Sequence, residues 1–145
     1  MSKSDAFETA LLQLIFQNAN IANLGDATGV RGSATAGTLY VSLHTADPGE
    51  GGNQSTNEVT YGGYARVGNA RTSGAFPVTG NAVNLGFNNT FAQATSGSMV
   101  ATHFGIGVAA SGAGLLLYSG PITPNITIVT GVQPILTTAS NIAED

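Results

Sequence analysis

From Thr72 to Ala143 the chain carries no Asp, Glu, Lys or Arg. A folded domain ordinarily spreads charges of both signs over its surface to stay soluble and monomeric. A charge-free half must instead solvate its outer face with Thr, Ser, Asn and Gly, or cover that face with neighbouring chains. Both together point to a subunit of a larger assembly. A small monomer with a neutral polar surface is the other solution. Disorder is excluded by the same numbers: hydrophobic residues make up 42% and charged residues 8%, the reverse of the balance in unfolded chains.

At 145 residues the chain has a one-domain length and can bury a core without covalent staples. Its net charge of −4 argues against nucleic acid as a partner, because binding phosphates needs a cationic footprint. With no cysteine there is no disulfide framework, thiolate metal site or cysteine nucleophile. "MSKSDAFETA" has no apolar run behind its lysine and does not read as a secretory signal. "FGIGVAASGAGLLLY" is short and broken by glycines, so no membrane partner is expected.

One helix is expected, from Asp5 to about Asn18. Asp5 and Glu8 have the spacing of a capping box, and Phe7, Leu11, Leu12, Leu14, Ile15 and Phe16 form a wide apolar stripe. "NIANLGDATGVRGSATAG", residues 20–37, reads as a long arm with little structure of its own. After it come short strands. In "TLYVSLH" Leu39, Val41 and Leu43 share a core face, and Tyr40, Ser42 and His44 the opposite one. In "VATHFGIGV" Val100, Phe104, Ile106 and Val108 share a face. "EVTYGGYARV" reads as a strand bent at its glycine pair. Evenly spaced strands bounded by Gly, Pro, Asn and Ser predict an all-β, antiparallel, jelly-roll-like β-sandwich over residues 38–145. Residues 1–37 supply an N-terminal amphipathic helix and a connecting arm.

No catalytic, cofactor or metal residues emerge. "GIGVAA" matches a dinucleotide fingerprint, but its surroundings are strand-like and no acid follows for the ribose. The glycines are better read as places where a strand passes close to another part of the chain. His44, Asp47, Glu50 and Glu58 are too few and too scattered for coordination, unless His44 and His103 meet on adjacent strands. Asp47 before Pro48 reads as a turn cap, which makes "LYVSLHTADPGEGGN" a corner. No serine occupies a nucleophile elbow, so no enzyme is expected. Arg66 and Arg71 flank "VGNA". One of them is expected to pair with Glu58 or with an acid on a partner, as suits a guanidinium fork. The expected interface comprises Phe7, Leu11, Leu12, Ile15, Phe16, Arg31, Arg66 and Arg71.

Three segments carry a family resemblance: "FETALLQLIF" followed by "TLYVSLHTADPGEGG", then "NEVTYGGYARV", then "ATHFGIGVAASGAGLLLYSGPIT". In this order they resemble a family of small virion proteins of tailed bacteriophages, often labelled tail-fibre or minor structural proteins. The resemblance implies a non-enzymatic virion role and assembly in the host bacterial cytoplasm. A capsid decoration or cement protein is the expected form, bound to the major capsid protein or other virion subunits as a homotrimer or homodimer. A tail or tail-fibre component is the first alternative. A carbohydrate-binding β-sandwich for host-surface recognition is the second.

Overall fold

The computed structural model describes residues 2–25 and 29–144; part of the expected arm, residues 26–28, lies outside the described residues. The helix α1 spans Asp5–Gln17. Its N-cap is Ser4, whose side chain makes no capping hydrogen bond; its carbonyl accepts the Phe7 and Glu8 amides at 2.9 and 3.0 Å. The expected capping box therefore does not form, because Asp5 is already helical. Asp5 and Glu8 still place negative charge in the first turn, where the helix dipole favours it. Asn18, in the left-handed conformation at φ 57°, ends the helix, as short polar side chains can.

Among the described residues nine strands follow: β1 (Thr38–His44), β2 (Val67–Ala70), β3 (Val78–Thr79), β4 (Ala82–Asn84) and β5 (Asn89–Thr90), then β6 (Ser98–Gly107), β7 (Leu116–Val129), β8 (Ile135–Leu136) and β9 (Asn141–Ala143). They form three sheets, ordered β2-β1-β6-β7, β3-β4-β9 and β5-β8, and the printed pairings are antiparallel. The mostly-β, antiparallel expectation with one N-terminal helix holds. Among the described residues no sheet closes into a barrel, and these strand orders do not by themselves draw a jelly roll.

The chain forms two compact units. The first comprises Met1–Thr38, Ala70–Phe87 and Thr137–Asp145. Here α1 packs on β3 and β4, and Phe16 meets Phe76 with ring centroids 5.2 Å apart. Leu12, Phe16, Phe76, Val83 and Leu85 are buried. The described part of the expected arm, residues 20–25 and 29–37, has more order than expected: Ile21 and Val30 form an antiparallel bridge, and Asn18 Oδ1 accepts the Ser33 amide at 2.7 Å.

The second unit comprises Leu39–Asn69 and Asn88–Leu136. Val41, Leu43, Phe104 and Ile106 build its apolar core, on the face where Val41 pairs with Ile106 and Leu43 with Phe104. The opposite face, carrying Ser42 and His44, is equally buried, so β1 is covered on both sides. Two expectations change here. Val100, 41% exposed, lies on the far side of a register shift between Ala101 and His103, and Val108, 47% exposed, lies past the end of β6 at Gly107. A bulge adds a residue and so switches the face of everything beyond it. Residues 58–66 form isolated bridges at Glu58 and Gly62 where a strand was expected, with Gly63 at φ 90°.

Candidate functional site

The most densely connected polar region begins at the end of β1. Asp47 Oδ1 accepts the Gly49 amide at 2.9 Å, and Gly49 takes φ 70°, a conformation that favours glycine. Asn57 Nδ2 donates to the Asp47 carbonyl at 2.9 Å, and the Asn57 carbonyl accepts the Thr45 amide at 2.7 Å. The expected corner is thus a turn closed at both ends by its own side chains.

Beneath it His44 is fully buried. Its Nδ1 lies 2.8 Å from the Thr56 carbonyl oxygen, which can only accept, so Nδ1 carries the proton. Nε2, 2.8 Å from Ser42 Oγ, then accepts from the serine hydroxyl. This neutral tautomer is the one burial favours, and burial lowers the His44 pKa below its ordinary value. A serine donating to histidine invites comparison with a nucleophile and its base. The proton runs the right way, but Ser42 and His44 are both 0% exposed, so no substrate reaches the hydroxyl. The histidine is oriented by a backbone carbonyl, where hydrolase triads use a carboxylate.

A second network adjoins the first. Arg66 Nε and Nη2 donate to Glu58 Oε1 and Oε2, both at 2.7 Å. Its Nη1 and Nη2 also reach the carbonyls of Ala109 and Gly112 at 2.9 and 2.8 Å. Tyr64 donates its hydroxyl to Glu58 Oε1 at 2.9 Å and accepts the Leu43 amide at 3.1 Å. Hydrogen bonding to the Glu58 carboxylate raises the Arg66 pKa, and burial pushes the Tyr64 phenol up. The expected arginine–Glu58 pair forms within the chain, and Arg66 is the arginine that makes it. The fork ties the loop between β6 and β7 to the loop before β2.

Gln54, also fully buried, completes this clamp. Its Oε1 accepts the Ala109 amide at 2.9 Å and its Nε2 donates to the Ala109 carbonyl at 3.3 Å. The side-chain amide thereby pairs with a backbone residue as a strand would. The glycines of "GIGVAASGAG" make room for it: a Cβ on Gly107 or Gly114 would overlap the Gln54 side chain, and one on Gly105 would lie 2.7 Å from His44 Nε2. The close approach expected there is thus mainly to buried polar side chains. Nothing in the sequence marks Gln54, since a glutamine in a glycine-rich loop reads as solvated.

The remaining expected residues fall apart in space and burial. Arg71 directs Nε to the Ile15 carbonyl at 2.6 Å and Nη2 to the Leu14 carbonyl, closing the end of α1. Leu12 and Phe16 are fully buried within their own unit, Phe7 is 39% exposed, and Leu11 and Ile15 are half-buried while Arg31 is exposed. His44 and His103 are register partners across β1 and β6. Among the described residues, however, no group of three or more His, Cys, Asp or Glu is placed to hold a metal ion. No helix among them is long and apolar enough to cross a membrane.

Compared with known families, residues 2–142 match the family described as Podophage GP4 fiber I protein gp80. No curated protein matches the chain.

Proposed function

The chain belongs to the podophage GP4 fiber I protein gp80 family, and from that premise we propose that it is a structural subunit of the tail fibre, held among other virion chains. Fibre proteins of this kind are structural and carry out no catalysis. The single observation that carries the reading is the family match, which takes in residues 2–142. The expectation of a capsid decoration or cement protein accordingly gives way to its tail-fibre alternative.

The geometry supports a role in being bound. The polar groups that elsewhere would do chemistry are consumed internally: His44 by Ser42 and Thr56, and Arg66 by Glu58 and two carbonyls. What the surface of residues 72–143 offers is uncharged and partly apolar. Val100, Val129 and Ile135 are exposed by 41–44% and Leu115 by 63%, all within the segment that has no ionic side chain. Such a surface suits permanent contact with neighbours better than free diffusion. Its partners, on this reading, are other fibre and tail subunits and further copies of itself in a closed trimer or dimer.

Separating purified particles into heads and tails, with mass spectrometry of each fraction and immunogold labelling of intact virions, tests the proposal. The chain is expected with the tails. Recovery with empty heads and absence from tails would restore the capsid reading.

A further inference from the structure

Neutral His44 leaves one ring position open to a second proton. Nδ1 already carries its hydrogen toward the Thr56 carbonyl, so an incoming proton must settle on Nε2. There the neighbour is Ser42 Oγ at 2.8 Å, and both residues are fully buried. A buried, charged N–H is costly unless an acceptor faces it. A hydroxyl can be that acceptor, because it has lone pairs as well as a hydrogen and turns about its own bond. Its hydrogen then needs a new destination.

The opposite strand supplies one. The Gly105 carbonyl oxygen lies 3.4 Å from Ser42 Oγ, and Gly105 is the register partner of Ser42 across β1 and β6. That oxygen is close at hand but beyond the usual O–H···O distance, as suits an acceptor held in reserve. Residue 105 has to be small for this arrangement. An added Cβ would lie 2.7 Å from His44 Nε2 and 2.9 Å from Ser42 Oγ.

Burial is the main force opposing a charge on His44. Three ionisable groups face the ring: Glu58 and Arg66 from the segment before β2, and His103, its register partner, from β6. Glu58 favours the charged ring, whereas Arg66 and His103 oppose it. Glu58 and Arg66 are an ion pair and largely offset one another at the imidazole. The ring is therefore not locked in its neutral form by a dominant cation beside it.

We propose that Ser42, His44 and the Gly105 carbonyl form a pH-sensitive switch that takes up a proton without unfolding the second unit. In the neutral state the serine hydroxyl donates to Nε2. In the charged state Nε2–H donates to Ser42 Oγ, and the hydroxyl turns to donate to the Gly105 carbonyl. The Nδ1 bond to Thr56 is common to both states. One proton is gained and every polar hydrogen keeps an acceptor, so no donor is stranded by the change. Acid thereby adds a side-chain link across the β1–β6 seam. The switch is internal to one chain and stands whether or not that chain is a fibre subunit.

The test is an NMR titration of the full-length, isotope-labelled protein from neutral pH into acid and back. Nε2 is expected to pass from its unprotonated to its protonated shift range with a midpoint below 6.5, while Nδ1 stays protonated throughout. The Gly105 carbonyl carbon should move with the same midpoint, and the amides of the second unit should keep their folded dispersion. Ser42→Ala removes the acceptor for Nε2–H and should lower the proton affinity of His44 about tenfold, the margin of a charged over a neutral hydrogen bond. If that variant does not fold, the Gly105 response in the unsubstituted protein decides. Unfolding of the second unit as His44 charges, or a His44 that stays neutral until the chain unfolds, would overturn the switch. So would a Gly105 carbonyl that does not respond, or a folded Ser42→Ala variant with an unchanged midpoint.

Discussion

Arg66 and Arg71 stand five positions apart and do related work in the two units, by different means. Arg66 meets a carboxylate squarely, two nitrogens on two oxygens at 2.7 Å, and adds two loop carbonyls. Its side chain is 2% exposed and that of Glu58 14%. Arg71 meets no carboxylate; it takes the Leu14 and Ile15 carbonyls that α1 leaves unpaired at its end, with Ser33 Oγ at 3.3 Å. One arginine balances a charge that the fold has taken from water. The other satisfies dipoles that water would otherwise solvate. The lesson is that what an arginine binds, more than how many hydrogen bonds it makes, sets how far the fold depends on it. Removing a partner costs most where it strands a charge.

Arg66→Ala is the harshest way to break the comparison. It leaves Glu58 without its cation and should cost about 3–5 kcal/mol, the usual loss for one half of a buried pair. Urea unfolding would show it, and a loss equal to that of Arg71→Ala would erase the distinction. Arg66→Lys sharpens the point, since a point charge cannot reproduce the fork; most of the loss should remain. Arg71→Ala should cost about 1–2 kcal/mol, the range for a cation and its hydrogen bonds at a helix C-terminus. Amide exchange should quicken first in α1. Asp47→Ala should cost about 1 kcal/mol, as for other missing local caps, and Asp47→Asn much less.

Acid gives the mildest perturbation and the most selective. His44 has a folded pKa below its unfolded value of 6.5, so the unfolded chain takes up the proton more readily. The stability this group contributes is therefore complete above about pH 6.5 and is lost as pH falls toward the folded pKa. Between pH 7 and 6 the loss should not exceed about 0.7 kcal/mol. Amides around His44 in the second unit should exchange faster, while α1 is unaffected. A His44→Gln variant should lack the acid-dependent component.

Some of this was legible in the residues. The Leu39, Val41, Leu43 alternation marks a core face, and Asp47 ahead of Pro48 marks a turn; both are local signals read from neighbours in sequence. The choice of Arg66 as the partner of Glu58 was narrowed to two arginines and no further. Gln54 was invisible because its partner, Ala109, lies far along the chain. Val100 departs from the face its alternation predicts because a bulge shows itself only in the pairing of two strands.

By itself the sequence determined the kinds of element and the position of the helix. These depend on residue type and short-range periodicity. Tertiary structure decided what covers the second face of β1, which arginine is buried, and that Gln54 clamps the loop at Ala109. Those outcomes rest on register and loop closure over long separations, where one residue's shift inverts every side chain after it.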